Sequence, residues 1–202
     1  MVPEAGDYMF NIPNLLTLLR IVLIPVFVIV FFLPWTLAAQ ACAVVFALAG
    51  VTDWLDGYLA RRLNQVSSMG AFLDPVADKL MVATALILLV QSDPTPALAV
   101  PALIIIGREI TISALREWMA ELGARAQVAV SVIGKIKTAV QMVAIFMLIY
   151  REDIWGLPVY LIGYVLLYVA AILTLWSMMV YLRAAWPALT GPANYPYEEH
   201  RE

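Results

Sequence analysis

Histidine and cysteine are almost absent from this chain, which has one of each among its 202 residues. His200 lies in an acidic stretch near the end, and Cys42 lies in an apolar segment. A Ser-His-Asp triad, a His-ligated zinc ion and a Cys-His nucleophile pair all need residues that this chain cannot supply. A disulfide within the chain would need a second cysteine. Chemistry here must therefore use carboxylates, cationic side chains and a hard metal ion.

Charged residues are also scarce, at 13%, whereas 63% of the residues are apolar and the mean hydropathy is +0.88. A soluble domain has about 25% charged residues, and a membrane-spanning helix takes about 20 apolar residues. The stretches that meet this length are residues 12–33, 37–61, 71–91, 97–119, 128–150 and 157–183. We predict an all-α polytopic membrane protein with six transmembrane helices in one bundle. Residues 1–190 form the membrane domain and residues 191–202 a cytoplasmic tail.

The positive charges indicate the orientation of this bundle. Six spans place both termini on the same side of the membrane, and that side receives all 12 lysines and arginines except Arg151. Cytoplasmic flanks of membrane helices are enriched in these residues. We therefore expect both termini to be cytoplasmic.

Four aspartates interrupt the second and third apolar stretches. Asp53 and Asp56 are three residues apart, and Asp74 and Asp78 are four apart, so each pair lies on one helix face. A short connection makes the two helices antiparallel neighbours, which brings the four acids together. Each aspartate at the centre of a membrane helix costs about 2.5 to 3.5 kcal/mol.

Clustered carboxylates repel one another unless a cation lies among them. Oxygen ligands favour Mg²⁺ or Mn²⁺, so the pattern predicts a metal site of two such ions. Two alternatives remain open. The aspartates pair with Arg61, Arg62 and Lys79 as polar helix ends, or they line the path of a cation transporter.

The acidic segment has a defined spacing, Asp53-x2-Asp56-Gly57-x2-Ala60-Arg61-x8-Gly70-x3-Asp74-x3-Asp78. This spacing resembles, without a departure, the signature of the CDP-alcohol phosphotransferase family. The resemblance implies a six-helix membrane enzyme, usually a homodimer. Such an enzyme transfers a phosphatidyl or similar group from a CDP-linked donor to an alcohol and releases CMP.

The resemblance also implies roles for the matching residues. Asp53, Asp56, Asp74 and Asp78 would bind two Mg²⁺ or Mn²⁺ ions per active site, and Asp78 would act as the general base. The positions implied for the CDP donor are Asp56, Gly57, Ala60, Arg61 and Gly70, where the small residues make room for the nucleotide and Arg61 contacts the pyrophosphate.

Further blocks, at residues 10–20, 107–123, 134–138 and 173–178, resemble one branch of that family. In this branch CDP-diacylglycerol is the donor and sn-glycerol 3-phosphate the acceptor, at the cytoplasmic face of a bacterial inner membrane. Membrane lipid and a second copy of the chain are the other expected partners, and no nucleic acid is expected. Inositol phosphate, serine and phosphatidylglycerol stay open as acceptors.

A phosphorylated acceptor needs cations that stay charged near lipid. Arg108, Arg116, Lys135 and Lys137 are the candidates, and positive-inside anchoring is the alternative. Lys135 and Lys137 are about 200° apart on a helix, so we expect one to face elsewhere. We expect Glu109 and Arg116, seven residues apart on one face, to support each other internally.

A polar stripe on the first helix consists of Asn14, Thr17 and Arg20, at intervals of three. We include Asn14 and Thr17 among the candidates for binding the donor nucleotide. The stripe alternatively satisfies buried backbone groups.

Overall fold

A computed structural model describes residues 12–63, 68–121 and 132–190 of the chain. Within these ranges the chain forms six α-helices and no β-strand, which confirms the all-α prediction. The helices are α1 (Ile12–Phe32), α2 (Ala38–Leu63), α3 (Ser68–Ser92), α4 (Pro96–Glu121), α5 (Val132–Tyr150) and α6 (Val159–Thr190). The predicted tail at residues 191–202 lies outside the described residues.

Several helix boundaries differ from those predicted from hydropathy. Helix α3 begins at Ser68 and not at residue 71, so Gly70 lies in its first turn. Helix α6 continues to Thr190, beyond the predicted end at residue 183. Hydropathy marks only the apolar part of a helix, whereas the backbone hydrogen bonds continue through polar residues at its ends.

The helices pack around one apolar core. Helix α1 contacts α2 and α3, α6 contacts α4 and α5, and a contact between α2 and α5 joins the two groups. The core contains Phe27, Phe46, Leu86, Ile105 and Leu148, all with exposed fractions of 1% or less. This packing brings the polar faces of different helices together at the sites described below.

The outer surface of the bundle is also apolar. Leu103 is 72% exposed and Ile172 is 64% exposed, and many other large apolar side chains point outward. Soluble monomers rarely expose contiguous apolar surface on this scale. The exterior is therefore suited to contact with lipid acyl chains.

Four helical segments are long and apolar enough to cross a membrane: Pro13–Phe32, Ala38–Leu59, Pro96–Met119 and Val159–Trp186. Helix α3, which carries Asp74, Asp78 and Lys79 in its first half, is not among these four segments. In α5 the described apolar part, Ile136–Tyr150, is shorter than a full span. The six helices are thus present in the described ranges, whereas six membrane crossings remain a prediction.

Candidate active site

Arg20 of α1 lies between the two aspartates of α2. Its Nη1 atom is 2.8 Å from Oδ1 of Asp53, and its Nη2 atom donates a hydrogen bond to Oδ2 of Asp56. The side chains of Arg20 and Asp56 are 1% and 4% exposed, whereas that of Asp53 is 46% exposed. Because a buried charge is costly unless it is paired, Arg20 is what allows Asp56 to be buried here.

The same helix contacts the acidic pair of α3. The hydroxyl of Thr17, which is 1% exposed, donates to Oδ1 of Asp74, and its oxygen is also 3.1 Å from the carbonyl oxygen of Pro13. A threonine hydroxyl has one proton, so it satisfies one of these acceptors at a time. Helix α1 therefore holds carboxylates of both α2 and α3.

The carboxylates of the two helices are close enough to interact electrostatically. The negative charge of Asp74 repels those of Asp53 and Asp56, and the negative charge of Asp53 repels that of Asp78. Among the residues that the structure describes, no group of three or more acidic, histidine or cysteine side chains forms a metal-binding arrangement. The all-oxygen donor set has the right chemistry for a hard divalent ion, and the two-metal assignment stays a prediction.

One alternative prediction paired the aspartates with Arg61, Arg62 and Lys79. The hydrogen bonds of Arg62 and Lys79 go to other residues. Arg62 donates to the hydroxyl of Tyr58 at 2.9 Å, and Lys79 donates to Ser113. The described ion pairs of the acidic motif use Arg20 instead. The side chain of Arg61 lies outside the described residues, so its predicted contact with pyrophosphate stays a prediction.

The remaining candidates for the donor nucleotide lie on α1, α2 and α3, the helices that carry Thr17, Arg20 and the acids. Asn14 and Gly70 are buried, and Gly57 is half-buried beside Asp56. The side chain of Ala60 lies outside the described residues. These positions are compatible with nucleotide binding beside the acids, and their roles stay predictions.

A separate cavity of about 210 Å³ opens beside Asp78. Side chains of α3, α4, α5 and α6 enclose it. Its lining consists of Asp78, Lys79, Val82, Arg108, Glu109, Arg116, Lys137, Thr138, Gln141, Met142 and Tyr181. We call it the cationic cavity, since it brings together the predicted base and three of the four predicted acceptor cations.

Glu109 organises two of these cations. Nη1 of Arg108 and Nζ of Lys137 each lie 2.7 Å from Oε1 of Glu109, and Nη2 of Arg108 donates to Oγ of Ser177 at 3.0 Å. Arg108 is 9% exposed and Lys137 is 2% exposed. One carboxylate thus holds two buried cations side by side and leaves a net positive charge for an anionic ligand.

Arg116 has a different partner from the one predicted. Its Nη2 atom donates to the hydroxyl of Tyr181 at 3.0 Å, and its guanidinium carbon lies 5.3 Å from the centre of that ring. The prediction that Glu109 and Arg116 support each other is wrong, because Glu109 faces Arg108 and Lys137. Arg108 also contacts the Tyr181 ring, at 5.8 Å.

Lys137 of α5 faces the interior, whereas the side chain of Lys135 lies outside the described residues, so the expectation that the two lysines face different ways stays a prediction. Tyr181, Ser177 and Gln141 were not predicted as site residues from the sequence. Gln141 and Tyr181 belong to no sequence motif, and only the packing of α5 and α6 brings them to the cavity. Ser177 does not line the cavity but accepts a hydrogen bond from Arg108.

Comparison with known proteins shows the family of this chain. The family model for CDP-alcohol phosphatidyltransferase matches residues 10–176, and the chain belongs to this family. Similar proteins from Shigella flexneri serotype 5b and Escherichia coli K12 are each 57% identical over 176 residues, which cover 87% of this chain and 95% of the relative. A relative from Salmonella typhimurium is 56% identical over the same length. All three are named CDP-diacylglycerol–glycerol-3-phosphate 3-phosphatidyltransferase.

Proposed function

We propose that this chain transfers the phosphatidyl group of CDP-diacylglycerol to sn-glycerol 3-phosphate. This is the reaction that the names of its relatives describe. The products are phosphatidylglycerophosphate and CMP, so the protein acts as a phosphatidylglycerophosphate synthase. This reaction is the first step toward phosphatidylglycerol and cardiolipin. Membership of a phosphatidyltransferase family favours this enzyme over the cation transporter considered above.

The observation that carries the proposal is the position of Asp78 in the cationic cavity with Arg108 and Lys137. A phosphate bound to the two cations would place the rest of a short acceptor next to a carboxylate. A general base must approach to about 3 Å from the hydroxyl it deprotonates. One cavity therefore contains both the groups that bind the acceptor's charge and the group that activates its hydroxyl.

The size of the cavity favours a small acceptor. Its volume of about 210 Å³ is below the roughly 300 to 1,000 Å³ of sites for drug-sized ligands. A three-carbon phosphate suits this space better than inositol phosphate or a lipid such as phosphatidylglycerol. Serine is small enough, but its single carboxylate needs fewer cations than Arg108, Arg116 and Lys137 provide.

The chemistry follows from this placement. Asp78 takes the proton of the acceptor's primary hydroxyl as its oxygen attacks the β-phosphorus of the donor. A new phosphorus–oxygen bond forms, and the bond to CMP breaks, with the electron pair leaving on the CMP phosphate. Arg108 and Lys137 hold the acceptor so that its oxygen is near the phosphorus, which converts a bimolecular encounter into a positioned reaction.

The donor would lie at the acids of α2 and α3, within reach of Asp78. We propose that Asp53, Asp56, Asp74 and Asp78 hold two Mg²⁺ or Mn²⁺ ions, which would neutralise the pyrophosphate and stabilise the charge that develops during transfer. Gly57 and Gly70 would leave room for the nucleotide. The acyl chains would remain in the bilayer beside the apolar exterior.

The same proposal includes six membrane crossings, with the acidic motif near the cytoplasmic face of a bacterial inner membrane and both termini in the cytoplasm. The distribution of lysine and arginine supports this orientation. A homodimer is the expected assembly. Cysteine labelling from each side of the membrane and mass measurement in detergent would test these parts separately.

An assay with the purified protein, CDP-diacylglycerol and Mg²⁺ tests the reaction. CMP release should require glycerol 3-phosphate, stop when a chelator removes the metal, and return with Mg²⁺ or Mn²⁺. Parallel assays contain serine, inositol phosphate or phosphatidylglycerol in its place. Robust turnover with serine and none with glycerol 3-phosphate would reject the proposed acceptor, and ion flux into liposomes without CMP release would favour the transporter.

A further inference from the structure

Gln141 of α5 is a buried amide in the cationic cavity, and the reaction proposed above gives it no role. Its side chain is 4% exposed, and it lines the cavity together with Asp78 and Lys137. In the part of the chain that the structure describes, its Oε1 atom is buried and has no hydrogen-bond partner. A buried acceptor without a donor costs about 1 to 3 kcal/mol, so a ligand that supplies the donor would recover this energy.

The position of Gln141 relative to the cations limits which part of a ligand it meets. Lys137 and Gln141 are four residues apart, so they share a face of α5. At a rise of about 1.5 Å per residue, Gln141 lies about 6 Å further along the helix than Lys137. A ligand whose phosphate contacts Lys137 would therefore place an atom beyond the phosphate next to Gln141.

sn-Glycerol 3-phosphate has a hydroxyl at this position. Its phosphate is on the third carbon, the attacking hydroxyl is on the first, and a second hydroxyl lies on the carbon between them. With the phosphate on Arg108 and Lys137 and the first hydroxyl at Asp78, the middle hydroxyl needs its own partner. Val82 and Met142, which also line the cavity, cannot supply a strong acceptor, and the lining residues Glu109, Thr138 and Tyr181 each already have a partner.

We propose that Oε1 of Gln141 accepts a hydrogen bond from the middle hydroxyl of the acceptor and thereby determines acceptor specificity. This inference rests on the proposed function. A site built to hydrogen-bond a substrate hydroxyl rejects an analogue that lacks it, because the buried polar group of the site is left unpaired. Gln141 would therefore distinguish glycerol 3-phosphate from other short phosphorylated alcohols.

The first experiment uses the unmodified protein and needs no variant. The kcat/KM for glycerol 3-phosphate is compared with that for 3-hydroxypropyl phosphate, which keeps the phosphate and the primary hydroxyl but lacks the middle hydroxyl. We expect kcat/KM to fall by tenfold or more with the analogue. A fall of less than threefold would overturn the role of Gln141.

The second experiment repeats the comparison with Gln141→Met, which has a similar length and no hydrogen-bonding group of comparable strength. We expect kcat/KM for glycerol 3-phosphate to fall by about tenfold, while kcat/KM for 3-hydroxypropyl phosphate changes little. The ratio between the two acceptors should then approach one. An equal fall for both acceptors would indicate a structural role only and would contradict the proposal.

Two further variants serve as controls. Gln91→Met makes the same substitution at a glutamine at the far end of α3, remote from the cavity, and should keep the ratio of the unmodified protein. Gln141→Glu keeps an acceptor oxygen, so it should preserve the ratio while its negative charge weakens binding of both phosphates. If Gln141→Glu no longer discriminates between the two acceptors, the proposal is contradicted. This test remains available even if Gln141→Met does not fold.

The outcomes separate this proposal from the proposed function. If the unmodified protein does not use glycerol 3-phosphate, the proposed function fails and the role of Gln141 fails with it. If the protein uses glycerol 3-phosphate but does not discriminate against the analogue, only the role of Gln141 is rejected.

Discussion

Nη1 of Arg20 lies 2.8 Å from Oδ1 of Asp53, so the first helix supplies the positive charge for the acidic motif of the second. The same guanidinium donates to Asp56, which is almost fully buried. The acidic motif is thus part of a three-helix arrangement, with Thr17 contacting Asp74 on the third helix. This arrangement holds the acids of α2 and α3 at one end of the bundle.

Replacement of Arg20 should destabilise the protein. Arg20→Met leaves Asp56 buried without its partner, and removing one member of a buried pair costs about 3 to 5 kcal/mol. The midpoint of thermal unfolding in detergent should therefore fall clearly. Arg62→Met is the matched control, because Arg62 is exposed and contacts Tyr58 and not an aspartate. An unchanged midpoint for Arg20→Met would show that the ion pairs contribute little.

That loss should be partly recovered by metal. If divalent ions bind the same carboxylates, Mg²⁺ supplies positive charge that Arg20→Met lacks, and a ligand that binds only the folded state stabilises it. Addition of Mg²⁺ should therefore raise the unfolding midpoint of Arg20→Met more than that of the unmodified protein. Equal or absent shifts would argue against metal binding at these aspartates.

Asp78→Asn should nearly abolish turnover. An asparagine has a similar size but cannot take the proton of the acceptor hydroxyl, and loss of a general base typically lowers the rate by about 10² to 10⁴-fold. CMP release measures this loss, and an unchanged midpoint of thermal unfolding in detergent shows that the protein is folded. Asp93→Asn is the control, because Asp93 accepts a hydrogen bond from Tyr160 at 2.7 Å, far from the site. Near-normal turnover of Asp78→Asn would reject the base assignment.

Arg108→Ala should impair use of the acceptor more than use of the donor. Hydrogen bonds to charged groups contribute about 1.5 to 3 kcal/mol, so we expect KM for glycerol 3-phosphate to rise roughly tenfold to hundredfold. The KM for CDP-diacylglycerol should change much less. Arg151→Ala is the control, since Arg151 contacts Ser92 and Tyr160 near the start of α6. Equal losses for both substrates would place Arg108 outside the acceptor pocket.

Gly163 should resist substitution because α5 and α6 approach closely there. A Cβ atom at Gly163 would lie 2.9 Å from Cβ of Met147 and 3.1 Å from the backbone nitrogen of Leu148. Gly163→Ala should therefore cost about 1 to 3 kcal/mol, as overpacking does elsewhere, and lower the unfolding midpoint.

Gly107→Ala provides the comparison for this prediction. A Cβ atom at Gly107 of α4 would have no neighbour within 4 Å, and alanine is a better helix former than glycine by up to about 1 kcal/mol. The unfolding midpoint should stay the same or rise. Similar losses for both variants would mean that the close contact at Gly163 does not decide the effect.

The sequence was sufficient to predict the fold class and the family. An apolar content of 63% and six long apolar stretches predict a helical membrane bundle, because the lipid requires backbone groups to bond within each helix. The aspartate motif spans only the two consecutive helices α2 and α3, so its spacing can be compared directly with that of the family. These features depend on composition and on short separations along the chain, which one sequence displays directly.

The partners of the charged residues were decided by the tertiary structure. Arg20 and Asp56 are 36 residues apart, and Arg108 and Ser177 are 69 apart. Whether such residues meet depends on how each helix is rotated about its axis and on which helix packs beside it. The spacing of residues along the chain predicts neither. For this reason the sequence suggested Arg116 as the partner of Glu109, whereas the packing of α4, α5 and α6 places Glu109 in contact with Arg108 and Lys137.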